Sequence, residues 1–163
     1  MRPQSRVAAV LAMAALLVGP GVLLAQDATP MADQATILQA YEDAWSSGDA
    51  AQVAALYTET AIRDDVPTAM ISHGRPAIEA FAAALFKVDD DIVMDVTEGF
   101  AGTDWAVLEW TYNGIHQATG KEVSFRGASV LELEDGLIAR ESDYYDLPQM
   151  QQQIAAASGT PAP

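Results

Sequence analysis

The stretch FRGASVLELEDGLIARESDYYDL, residues 125–147, reads as two strands meeting at a tight turn. Glu134-Asp135-Gly136 is a hairpin signal, because Asp and Gly tolerate the positive φ angles that such turns need. It joins a strand over Glu122–Glu134 to one over Leu137–Tyr145. The second strand is unusual. One parity carries Ala139, Glu141, Asp143 and Tyr145, and the other carries Arg140, Ser142 and Tyr144. Neither set is a plain apolar core face, so the strand is either a solvated edge or the wall of a pocket that uses acids.

Working outward, Ile92–Phe100 and Trp105–His116 are also strand-like, with AGTD and QATGK as turns. These four segments predict an antiparallel meander. Helical patterns precede them. Ile37, Leu38, Tyr41, Ala44 and Trp45 form an amphipathic stripe on a helix that Asp33 caps and that ends near Ser46. Asp49 caps a shorter helix through Val53, Leu56 and Tyr57. TAIRDDVP (60–67) predicts a short strand ending before Pro67, and Gly74-Arg75-Pro76 opens a third helix running to Phe86. DLPQMQQQIAAA closes the domain with a helix that Asp146 caps. Helices first and strands second mean an α+β fold, a cone-shaped α+β barrel with the N-terminal helices packed in a curved antiparallel sheet. The mouth of such a cone is a natural ligand pocket.

The ends have other compositions. Arg2 and Arg6 precede an unbroken apolar run from Val7 to Val18, which Gly19-Pro20-Gly21 interrupts. Residues 1–25 are therefore expected to be a secretory signal peptide, cleaved near Ala25. An uncleaved anchor is the alternative, disfavoured because the run is short for a spanning helix. Residues 26–32 read as a linker, 33–156 as the domain, and 157–163 as a flexible tail. The expected location is secreted or extracytoplasmic, with no membrane association after cleavage. The chain has no Cys, so packing alone must hold the fold. The formal charge is −15, and removing Arg2 and Arg6 with the leader takes it to −17. Such a surface repels nucleic acid and anionic lipid, which makes both poor partners.

Strand parity brings particular residues together. Leu108, Trp110 and Tyr112 share a face, as do Phe125, Ser129 and Leu131, and as do Glu141, Asp143 and Tyr145. If the three sets line one concave surface, the pocket is aromatic with a few fixed polar groups. Alternation sends Asp64 and Asp65 to opposite faces. Asp65 is then either a desolvated base or a residue that stabilises the bend before Pro67. Asp143 is either an acid–base group or an acceptor for a tyrosine hydroxyl. Tyr41 needs a polar partner if buried, such as Asp65. Asp89 to Asp91 read as a solvated turn. Two isolated His residues and no ligand spacing predict no metal, and no phosphate loop or nucleophile elbow indicates a cofactor.

Three stretches in order, AYEDAWSSGDAAQVAALYTETAIRDD, HGRPAIEAF and FRGASVLELEDGLIARESDYYDLPQMQQQI, resemble the SnoaL-like, or nuclear transport factor 2-like, superfamily. The resemblance covers about Ala35 to Ile154. The superfamily includes ketosteroid isomerases, limonene epoxide hydrolases and polyketide cyclases. It implies a small hydrophobic ligand, cofactor-free acid–base chemistry and a homodimer through the outer sheet face. Resemblance to the isomerases implies Tyr41 as oxyanion donor and Asp65 as base, with Ser129 where they place a protonated Asp. Resemblance to the epoxide hydrolases puts their catalytic Asp on Asp143 and a water-holding Asn on Asp65. Trp110 and Tyr112 stand where those enzymes use an Arg and a second Asp. Cyclases commonly place an acid at Ser129 and a His near His116. The expected site is thus Asp65, Asp143 and Tyr41 for chemistry. Trp45, Trp110, Tyr112, Phe125, Ser129 and Tyr145 would contact the ligand. The alternative is a non-catalytic binding or dimerisation module whose polar groups satisfy one another.

Overall fold

The computed structural model describes the backbone of residues 31–157 and the side chains of residues 36–155. The leader, most of the linker and the tail from Ser158 lie outside the described residues. Helix α1 spans Met31–Ser46, and α2 spans Ala50–Ala55 with the Asp49 carboxylate accepting from Ala51 N, as a cap should. Strand β1 runs Tyr57–Asp65 and leads through a 3-10 turn, Val66–Thr68, into β2, Met70–His73. Helix α3 (Arg75–Leu85) carries Pro76 in its first turn. Strands β3 (Asp89–Ala101), β4 (Trp105–His116), β5 (Lys121–Glu134) and β6 (Leu137–Tyr145) follow, then α4 (Leu147–Ala157).

The sheet has six strands in the order β2-β1-β6-β5-β4-β3. The expected meander is present as β3 to β6, with antiparallel pairing throughout. Three expectations need correction. The sheet is mixed, because β1 pairs parallel to β6. It is open and not a barrel, because β2 and β3 are edges. Tyr57 begins β1 instead of ending α2, since its hydroxyl reaches an acceptor across the sheet. Asp89 is also not in a solvated turn. It starts β3, is 9% exposed, and accepts from the Tyr112 hydroxyl at 2.6 Å while His116 Nδ1 lies 2.8 Å away.

The core fills the space between the concave sheet face and the helices. Tyr41, Trp45 and Val53 meet Leu108, Leu131 and Ile138 there, all buried. The hairpin that decides the fold turns at Asp135 and Gly136, both at positive φ. Asp146 accepts from Gln149 N at 2.9 Å, which caps α4 and brings Met150 over the open end of the sheet.

Candidate functional site

The site follows from the register of two strands. Ala61, Arg63 and Asp65 form the buried face of β1, and Glu141 and Asp143 lie on the buried face of β6. Parallel pairing places Arg63 beside Glu141 and Asp65 beside Asp143. Three carboxyls and one guanidinium therefore share one patch of the concave surface.

The deeper acid is Glu141, with no solvent exposure. Its Oε1 accepts from the Tyr41 hydroxyl at 2.6 Å, and its Oε2 accepts from the Tyr57 hydroxyl. Arg63 Nε stands 3.8 Å from Oε2. One step outward, Asp143 accepts from Arg63 Nη2 and from Ser129 Oγ, the latter at 2.5 Å. Ser129 in turn accepts from Trp110 Nε1 at 2.9 Å. Further out, Asp65 accepts from the Tyr145 hydroxyl at 3.0 Å and from Thr68 N at 3.3 Å. Arg63 Nη1 lies 3.9 Å from Asp65, and its guanidinium carbon sits 4.0 Å from the Phe81 ring centre. The cation is thus held between acids on its edges and an aromatic face.

The outer members of this network border a cavity of about 220 Å³. Asp65, Asp143 and Arg63 supply its polar side, and Trp45, Trp110, Tyr112, Phe125 and Tyr145 are among its apolar walls. Tyr112 stacks on Phe125 with ring centres 4.8 Å apart, and Phe125 meets Tyr145 at 5.3 Å. Gly127, paired with Trp110 across β4 and β5, makes this wall possible. A Cβ there would lie 2.3 Å from the Trp110 ring. Met70 and Met150 stand at the rim. A larger depression of about 390 Å³ opens at the other end of β5 and β6, but its lining, including Ile37, Leu56 and Leu133, holds no ionisable group.

Of the residues expected from sequence, Asp65, Asp143, Tyr41, Trp45, Trp110, Tyr112, Phe125 and Tyr145 border the cavity. Ser129 does not. It lies behind the wall, fully buried, where it fastens Asp143 to Trp110. The hydroxyl of Tyr41 donates to Glu141 and not to Asp65. Asp64 faces the other side of the sheet, 3.6 Å from Arg140. Asp65 combines both readings, since it caps the turn before Thr68 and also faces the cavity. Arg63 escaped the sequence reading, and Glu141, which that reading placed on the concave face, was given no role. Arg63 shares parity with Asp65, and Glu141 shares parity with Asp143. That alternation was the available signal for both.

Burial sets the electrostatics. It pushes the Asp143 carboxyl well above the usual range, and nearby Glu141 pushes the same way, against the opposing pull of Arg63 and Ser129. Burial works against the Arg63 charge, but Asp143 and Glu141 outweigh it and hold the guanidinium firmly protonated. Burial and then Glu141 raise both Tyr41 and Tyr57, so each hydroxyl stays a donor. Burial and then Asp65 raise Tyr145 likewise.

The fold and the site together define a class: an α+β domain whose open sheet cups an aromatic, acid-lined cavity. Residues 38–141 match the SnoaL-like domain, and the chain belongs to that family. No match is found among curated protein sequences. Solved structures share the fold. One is a protein with a ketosteroid isomerase-like fold from Catenulispora acidiphila, in complex with trimethylamine. It is 21% identical, with a TM-score of 0.68 over 77% of this chain and 93% of that one. A putative SnoaL-like polyketide cyclase from Shewanella denitrificans is 15% identical, with a TM-score of 0.66 over 75% and 96%. An epoxide hydrolase from M. tuberculosis, resembling limonene epoxide hydrolase, is 17% identical, with a TM-score of 0.64 over 79% and 98%.

Proposed function

We propose that this SnoaL-like domain binds a small, mostly apolar molecule in the aromatic cavity and moves a proton on it without a cofactor. The observation that carries this reading is that Asp65 and Asp143 both border the cavity, with Arg63 between them. Asp143, raised by burial, holds a proton to give to an oxygen of the ligand. Asp65 accepts a proton from carbon or from water. Arg63 and the Tyr145 hydroxyl stabilise the charge that develops. Isomerisation, cyclisation and hydrolysis all use these two transfers, and the relatives' reaction types fit the same pair.

The Arg that epoxide hydrolases supply from the second long strand is absent at Trp110, and Arg63 from β1 provides a guanidinium beside Asp143 instead. A second reading, a binding module without chemistry, draws on a separate observation. The polar groups satisfy one another, Asp143 through Arg63 and Ser129, and Asp65 through Tyr145.

The reading includes export after cleavage near Ala25 and a homodimer. The outer sheet face carries Phe100, Val107 and Val130 in one register row, of which Phe100 is 67% exposed. Sedimentation would then report twice the chain mass. The decisive test of the reaction is a panel of ketones, epoxides and lactones, with binding followed by Trp fluorescence and turnover by chromatography. On these neutral compounds Asp65→Asn and Asp143→Asn are expected to keep binding and to lose turnover by about 10²–10⁴-fold. Binding without wild-type turnover would support the second reading.

A further inference from the structure

The charges in and just behind the cavity wall do not balance. With Asp143 holding a proton, Asp65 and Glu141, 3% and 0% exposed, are the remaining acids, and Arg63 is the cation among them. Arg63 is committed on three sides, to Asp143 by a direct hydrogen bond, to Glu141 with Nε 3.8 Å from Oε2, and to the Phe81 face by stacking. Its approach to Asp65 is only 3.9 Å, too long for a hydrogen bond. Asp65 is therefore an acceptor at the cavity edge whose hydrogen bonds come from neutral donors, the Tyr145 hydroxyl and Thr68 N.

Aromatic rings make up much of the rest of the lining. Trp110, Phe125 and Tyr145 contact one another with ring centres 5.3 to 6.3 Å apart, and Tyr112 extends the same wall. An aromatic face carries negative potential, so a wall of rings beside surplus carboxyls attracts positive charge and repels anions. The volume is small, below the roughly 300–1,000 Å³ of pockets for drug-sized ligands.

Resting on the proposed small-molecule reading, we infer that the molecule this cavity takes is a small organic cation, an alkylated ammonium. Its charge sits toward Asp65, and its carbon substituents lie on Trp110, Phe125 and Tyr145. An apolar body satisfies the walls, and the positive charge satisfies the acid that Arg63 leaves unmatched. A neutral molecule of the same shape gains the first interaction and forgoes the second.

The test uses two probes of nearly the same shape on the intact protein: choline, and 3,3-dimethylbutan-1-ol, in which carbon replaces the charged nitrogen. Binding is followed by Trp fluorescence, with calorimetry in buffers of different ionisation heat. Choline is expected to bind at least tenfold more tightly than the alcohol. It is also expected to release a fraction of a proton from the wild-type protein, because added positive charge displaces a proton held among the carboxyls. The alcohol should release none. Asp65→Asn should weaken choline at least tenfold and leave the alcohol within twofold. The calorimetric arm needs no variant, so a poorly folded Asp65→Asn protein would not remove the test. Equal affinity for the two probes, or a preference for the alcohol, would overturn the cation and leave the small-molecule reading standing. Binding of neither probe would also overturn the cation, and the panel of ketones, epoxides and lactones then tests the small-molecule reading by itself.

Discussion

Glu141 and Asp143 lie two residues apart on the same face of the same strand, yet the fold uses them differently. Glu141 faces inward to two tyrosine hydroxyls and does not border the cavity, and both its oxygens are occupied. Asp143 borders the cavity, and its partners are a guanidinium and a serine. The difference comes from what packs above each. Helix α1 sets Tyr41 over the deeper position, whereas aromatic walls leave space over the outer one. A carboxylate that satisfies buried donors is part of the structure, and a carboxyl held beside space is available for a ligand.

Substitutions can break this contrast. Glu141→Gln should have the largest effect on stability. It leaves a tyrosine hydroxyl facing an amide N–H and removes the charge beside Arg63. A loss of about 3–5 kcal/mol is expected in urea unfolding, as for one partner removed from a buried charged cluster. A loss near zero would show that Glu141 is not the anchor. Gly127→Ala should come next, at about 1–3 kcal/mol, because the new Cβ meets the Trp110 ring and must displace it. Ligand binding should weaken with it, since Trp110 is a wall of the cavity. Asp143→Asn should cost about 1–2 kcal/mol, less than the Glu141 change, because the amide oxygen still accepts from Arg63 while the amide N–H can donate to Ser129 Oγ. Asp146→Ala should cost about 1 kcal/mol through loss of the α4 cap.

The pH dependence sharpens the same contrast. Asp143 has a higher pKa folded than unfolded, mainly through burial and then through Glu141. Between those two values the folded state binds more protons than the unfolded chain. The contribution of Asp143 to stability is therefore full below the ordinary carboxyl range and is lost as pH rises through its folded value. Asp143→Asn should flatten that part of the profile in thermal melts from pH 4 upward. An unchanged profile would place the proton elsewhere.

Much of the fold was legible because its signals are local. Hairpin turns such as Asp135-Gly136, the Asp49 and Asp146 caps and strand parity each act within a few residues. The inward set of β6 and the aromatic face of β4 followed from alternation alone. What sequence did not give were relations between distant strands. Nothing local says that β1 pairs parallel to β6, so neither Arg63 beside Asp143 nor Glu141 between two tyrosines could be read. Asp89 looked solvated because three acids in a row usually are. Tyr112 and His116, both on β4, make it a buried acceptor. Ser129 had the parity of a wall residue, but its short side chain ends behind the Trp110 ring.

The most direct measurement is a carboxyl ¹³C NMR titration of Asp143, assigned through Asp143→Asn. The expected midpoint lies well above that of the exposed aspartates and shifts when a ligand fills the cavity. A midpoint in the ordinary aspartate range, unmoved by ligand, would contradict the assignment of Asp143 as the proton donor.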